Sequence, residues 1–149
     1  MVEEAFRNRR LPENRSAKPT GLFESAGKTQ GVISLNILNQ LDILLIDAVK
    51  RSDKGKTNIS NREISKCRQM IQQDHLELLS GLPCCLITDI NELIINSDGE
   101  VVEKKPLIFT ELPEGSGQRT WKWSFDSHFS YNRGFITHLE VISLFVNIQ

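Results

Sequence analysis

The hydrophobic pattern of this 149-residue chain changes period at Cys84, and that change limits the possible folds more than any other feature. Before it, two segments carry apolar residues at helical spacing. After it come β-branched and aromatic runs separated by turn residues. Helices grouped ahead of strands predict an α+β fold, an N-terminal helix pair packed on a four- to five-stranded, mainly antiparallel sheet.

The first helix is predicted over residues 34–51, with Ser34 as N-cap. Leu35, Ile37, Leu38, Leu41, Leu44, Leu45, Ile46, Ala48 and Val49 cover an arc of about 200° at 100° per residue. A surface helix needs a narrower stripe. This helix is therefore expected to be central to the fold or half of an oligomer contact, with Leu38, Leu41, Asp42, Leu45 and Val49 at the interface. Asp42 falls inside the apolar arc, where an unpaired carboxylate is costly. It calls for a cation from the second helix or a second subunit, unless it sits at the water-accessible rim. The second helix is predicted over 61–80. Ser60 and Glu63 have capping-box spacing, Ile64, Cys67, Ile71 and Leu78 face the first helix, and Gly81 and Pro83 end it.

Beyond Cys84, residues 84–90 are β-prone, and 92–104 form a hairpin turning at Asp98-Gly99. Leu107–Leu112 continue as strand, and 112–119 form a loop. Trp121, Trp123 and Phe125 alternate with Lys122 and Ser124, which gives a strand with one aromatic face. That face is expected to be core beneath the helices, with an exposed partner-binding patch as the alternative. Residues 135–148 read as a final strand, although Phe135, Leu139, Ile142 and Val146 also fit a helix. Residues 1–31 hold Pro12, Pro19 and three glycines with few apolar residues, so a flexible arm is expected ahead of a single domain spanning 32–149. Phe6, Leu11, Leu22 and Phe23 are its candidate anchors.

Charge is unevenly distributed. Residues 1–73 carry 13 basic and 8 acidic side chains, residues 74–149 carry 5 and 11. Opposed halves suit an anionic partner, a basic partner or a second copy of the chain. The densest basic run is Lys50, Arg51, Lys54, Lys56, Arg62, Lys66 and Arg68, at the expected helix–helix corner. It is the candidate site for nucleic-acid phosphates or anionic membrane headgroups. A pI near 6.3 and the lack of aromatic residues within the run count against nucleic acid.

Motifs for chemistry are weak. Gly27-Lys28-Thr29 ends like a phosphate loop, but five residues rather than four separate Gly21 from Gly27, and no apolar strand precedes it. His75, His128, His138, Cys67, Cys84 and Cys85 lack metal-ligand spacing. No metal or cofactor is therefore expected. Ser124, Asp126 and His128 alternate along one strand and read as a solvent-facing polar stripe, since a triad needs side chains converging from different elements. His75, between Ile71 and Leu78, reads as an interfacial histidine or a tuned base.

Three cysteines, two of them adjacent, make a poor disulfide framework, and the N-terminus shows no secretory pattern. An intracellular location, cytoplasmic or nuclear, is expected, with no transmembrane segment. The primary functional expectation is a non-enzymatic interaction or assembly protein that self-associates, an outline shared by compact viral structural and accessory proteins. Binding of nucleic acid or an anionic membrane through 50–68 is the first alternative, and a small enzyme of unrecognised type the second.

Overall fold

The computed structural model describes residues 11, 31–52 and 59–147. The elements are β1 (Val32–Leu35), α1 (Leu41–Ser52), α2 (Asn61–Leu79), β2 (Cys84–Ile95), β3 (Val101–Pro106), β4 (Ser116–Asp126) and β5 (Ile136–Val146). Two helices and a five-stranded mixed sheet make this an α+β fold.

A strand precedes the helices, which corrects the expected helix-first order. Ser34 lies within β1, whereas a helix beginning at 34 would have made it an N-cap. Asn36 adopts the left-handed conformation (φ 55°), the turn spans 38–40, and α1 starts only at Leu41. β1 pairs in parallel with β2, so α1 and α2 together form the crossover that a parallel pair requires. The other pairings are antiparallel, and the strand order is β1-β2-β5-β4. β3 shares the β1 edge of β2: β1 lies along Cys84–Ile87 and β3 along Asn91–Ile95.

The second helix follows its sequence signals. Ser60 Oγ accepts from the Glu63 amide (3.2 Å) and Glu63 Oε2 from the Ser60 amide (2.8 Å), so the capping box forms. The hairpin turn between β2 and β3 places Gly99 at φ 83°, as Asp98-Gly99 predicts. Residues 107–112, expected as strand, form none. They are held instead by α2: fully buried Gln72 donates to the Leu107 carbonyl (2.8 Å) and accepts from the Phe109 amide (2.7 Å). β4 is reached through Gly115, whose α-carbon lies so close to Phe145 that an added Cβ would sit 2.5 Å from its carbonyl oxygen.

Two cores result. Leu45, Ile46, Val49, Cys67 and Ile71 join α1 to α2, and Leu11 is buried among them. Leu11 thus belongs to the interior, not to a detached arm. The rest of the expected arm, with Phe6, Leu22 and Phe23, lies outside the described residues apart from Gly31. The second core places Leu38 and Leu76 against Leu86, Ile142 and Leu144 of the sheet.

Candidate functional site

The register divides the sheet into two faces. On one, Ser34, Leu86 and Leu144 lie side by side, followed by Thr88, Ile142 and Thr120. This is the helix side, where Ser34 Oγ and His75 Nε2 of α2 share a 2.9 Å hydrogen bond. Burial lowers the pKa of His75, which favours its neutral form. On the other face, Ile33, Cys85 and Phe145 form one row, and Leu35, Ile87, Ser143 and Arg119 the next. Asp89, Val141 and Trp121 follow, then Glu92, Leu139 and Trp123.

Among the described residues, the helices meet this second face only at the start of α1, where Ile43 and Leu44 line its cleft. Ile33, Leu35, Trp121, Trp123, Phe125 and Phe145 all remain exposed, Trp123 at 49%. The aromatic strand is therefore not core beneath the helices, which lie on the opposite face of the sheet. Trp123, Phe125 and Tyr131 pack edge to face, with ring centroids 5.9 and 5.1 Å apart. Ile37, Leu41, Ile43 and Leu44, at the start of α1, extend the apolar surface, and Leu44 is 78% exposed.

A cleft of about 360 Å³ opens in this face, between the β1–α1 turn and the aromatic row. Leu107, Trp123, Phe125, Tyr131 and Leu139 give it apolar and aromatic walls, and Asn36, Asn39, Asp89 and Glu92 give it a polar end. Asp89 is 3% exposed; Asn39 Nδ2 donates to its Oδ2 over a long 3.4 Å, and its own amide donates to Asn36 Oδ1 (3.2 Å). No cation pairs with it among the described residues. Asn39 is also buried, and its Oδ1 has no hydrogen-bond partner. Exchanging its amide atoms would set oxygen against the Asp89 carboxylate, so the acceptor stays unpaired in either assignment. Glu92 accepts from Asn132 Nδ2 (2.8 Å) and lies 4.0 Å from Lys105.

Asp126 ends β4. It was expected on a solvent-facing stripe with Ser124 and His128, but it is buried and organises the loop that carries Tyr131. It accepts from the amides of His128 (2.8 Å) and Tyr131 (2.6 Å) and from Ser130 Oγ (3.1 Å), which together hold its pKa below the ordinary carboxylate value.

The interface residues expected on α1 need correction. Leu38 and Val49 have no exposed surface, and Leu45 and Asp42 are buried inside the chain; Leu41 alone of the five is exposed. The apolar arc is divided: Leu45, Ile46 and Val49 pack on α2 and Leu38 on the sheet, while Ile37, Leu41 and Leu44 stay exposed. Asp42 has the partner its position demands, with Arg68 Nε of α2 2.7 Å from its Oδ2. Its Oδ1 has no partner, and burial outweighs Arg68, so its pKa is raised.

The described members of the basic run have different surroundings. Arg68 leaves it to pair with Asp42 and to stack on Phe109, 5.1 Å from the ring centroid. Arg51 lies 3.9 Å from Asp47. Lys50, Arg62 and Lys66 are exposed, and Lys54 and Lys56 lie outside the described residues. Among the described residues, no group of three His, Cys, Asp or Glu side chains is placed to hold a metal ion, and no helix is long and apolar enough to cross a membrane.

The fold and site together define an α+β protein whose sheet, among the described residues, has one helix-covered face and one largely open face, the latter aromatic and notched by an acidic cleft. No protein-family model, curated protein or solved structure matches the chain.

The sequence reading missed Asn39, Asp89 and Glu92 because their proximity depends on strand register. A partial signal was present: Ile33 and Leu35 alternate with Ser34 just as Trp121 and Trp123 alternate with Lys122.

Proposed function

We propose that this chain is a non-enzymatic assembly protein that self-associates through the uncovered face of its sheet. The observation that carries the reading is the exposed aromatic row of Trp121, Trp123 and Phe125, continuous across the sheet with Ile33 and Leu35. Large aromatic side chains are typical interface anchors.

The size of the patch supports the same conclusion. Weighting the exposed fractions of Ile33, Leu35, Leu44, Trp121, Trp123, Phe125, Tyr131 and Phe145 by roughly 150–250 Å² per large side chain gives about 900 Å² of open apolar surface. Monomers seldom expose more than a few hundred Å² in one patch, and a standard interface takes about 800 Å² from each partner. Two such faces packed together would form a β-sandwich about 10 Å thick.

The test is molar mass by light scattering across protein concentration, at low and high salt. The expected result is a dimer that persists at high salt, as apolar burial requires. A monomer at all concentrations would refute the reading. Attachment through the exposed basic side chains Lys50, Arg62 and Lys66 would instead appear as a salt-sensitive shift on adding nucleic acid or anionic vesicles.

A further inference from the structure

We infer that the cleft beside Trp123 is a guanidinium site, and that in the assembled protein it receives Arg119 of a second copy; this rests on the self-association reading above. The cleft's inner end gathers three acceptors, from Asp89, Asn39 and Glu92, beside the amides of Asn36 and Gln40. Among the described residues, the Asp89 carboxylate meets the Asn39 amide at 3.4 Å and no cation, Asn39 Oδ1 has no partner, and Glu92 is met by the Asn132 amide and by Lys105 at 4.0 Å. Buried acceptors of this kind require donors. The Trp123, Phe125 and Tyr131 rings form one wall of the cleft, and Ile43, Leu44, Leu107 and Leu139 complete its apolar lining. A guanidinium matches both features, because its planar fork donates to several oxygens while its faces stack on aromatic rings. An ammonium group is a compact, strongly hydrated charge that stacks poorly.

The chain supplies such a group on the same face. Arg119 is exposed and lies in the row of Leu35, Ile87 and Ser143, four residues before Trp123 on β4. It cannot reach the cleft of its own copy without crossing Trp121. A two-fold axis near Trp121 runs the two β4 rows in opposite directions and sets Arg119 of one copy over Trp123 of the other. The contact then occurs twice, as a symmetric dimer requires. Residues 74–149 carry 11 acidic and 5 basic side chains, so two such halves associate more readily with Arg119 matched to Asp89 at each end.

The test is a double-mutant cycle on the full chain, read as dimer dissociation constants by sedimentation. Arg119→Ala and Asp89→Asn should each weaken the dimer about 10- to 100-fold, and the double variant no more than either alone. Arg119→Lys should recover only part of the loss. Arg119→Glu should be worse than Arg119→Ala. N-acetyl-arginine amide, but not its neutral citrulline analogue, should dissociate the wild-type dimer, a readout that needs no variant to fold. A dimer unaffected by Arg119→Glu and by the arginine amide would overturn the guanidinium site while leaving self-association intact. A wild-type monomer would overturn both. Strictly additive losses in the cycle would show that Arg119 and Asp89 do not meet.

Discussion

Replacing Trp123 by alanine is the most direct perturbation of the uncovered face. The ring is 49% exposed, so of roughly 250 Å² for a tryptophan about 120 Å² is free to be buried in a partner. At about 25 cal/mol/Å² that surface is worth about 3 kcal/mol, and alanine retains a part, so the net loss is about 2 kcal/mol per protomer. A two-fold interface doubles it to about 4 kcal/mol, or roughly a thousandfold in dissociation constant at 1.4 kcal/mol per decade. The other half of the ring packs on the sheet and against Phe125. The variant should therefore also lose about 2 kcal/mol of fold stability, a fall of about 4–8 °C in melting temperature for a chain of this size. Sedimentation velocity measures association and circular dichroism measures folding. The expected result is a folded monomer at concentrations where the wild type is dimeric. A folded variant that dimerises within tenfold of wild type would refute the assignment of this face.

Four further perturbations test the rest of the structure. Gln72→Leu strands the Leu107 carbonyl and the Phe109 amide and should cost about 2–4 kcal/mol in chemical denaturation; a loss under 1 kcal/mol would mean that water replaces both bonds. Arg68→Met leaves the buried Asp42 carboxylate uncompensated and should cost about 3 kcal/mol at neutral pH, whereas Asp42→Asn should cost under about 1 kcal/mol because Arg68 keeps access to water and to Phe109. Since the folded pKa of Asp42 is raised, its contribution to stability is complete below the unfolded value of 3.8 and is lost as pH rises through the folded value; Asp42→Asn should flatten that slope in a denaturation series from pH 3.5 upward. His75 has the opposite sign. Its folded pKa is lowered, so stability is complete above the unfolded value of 6.5 and declines as pH falls towards the folded value, and His75→Gln should remove that decline. Gly115→Ala forces a methyl group against the Phe145 carbonyl and should lower the melting temperature by several degrees, while alanine at Lys122, exposed on β4, should change it little.

The capping box at Ser60 and Glu63, the tight turn at Gly99 and the alternation of Trp121, Trp123 and Phe125 were legible in the sequence, because each depends on residues a few positions apart. The choice facing Asp42, a cation or the water-accessible rim, was legible too, since a carboxylate inside an apolar arc carries a desolvation cost; the tertiary structure decided for Arg68. β1 was not legible: four residues carry too little pattern, and Val32–Leu35 becomes a strand only because the edge of β2 offers parallel partners from Cys84 to Ile87. Periodicity showed that Trp121 and Trp123 share a face but could not tell which face α2 would cover. The tertiary structure decided that through Ser34, Leu86 and Leu144, which lie beneath the helices. It also buried four of the five residues expected to meet a partner, and it assembled Asn39, Asp89 and Trp123 from a turn, a central strand and an edge strand. The sequence by itself determined which groups need burial, pairing or a turn, because those needs are local chemistry; which needs are met inside the chain and which are left open to a partner is set by long-range register and by where the helices pack.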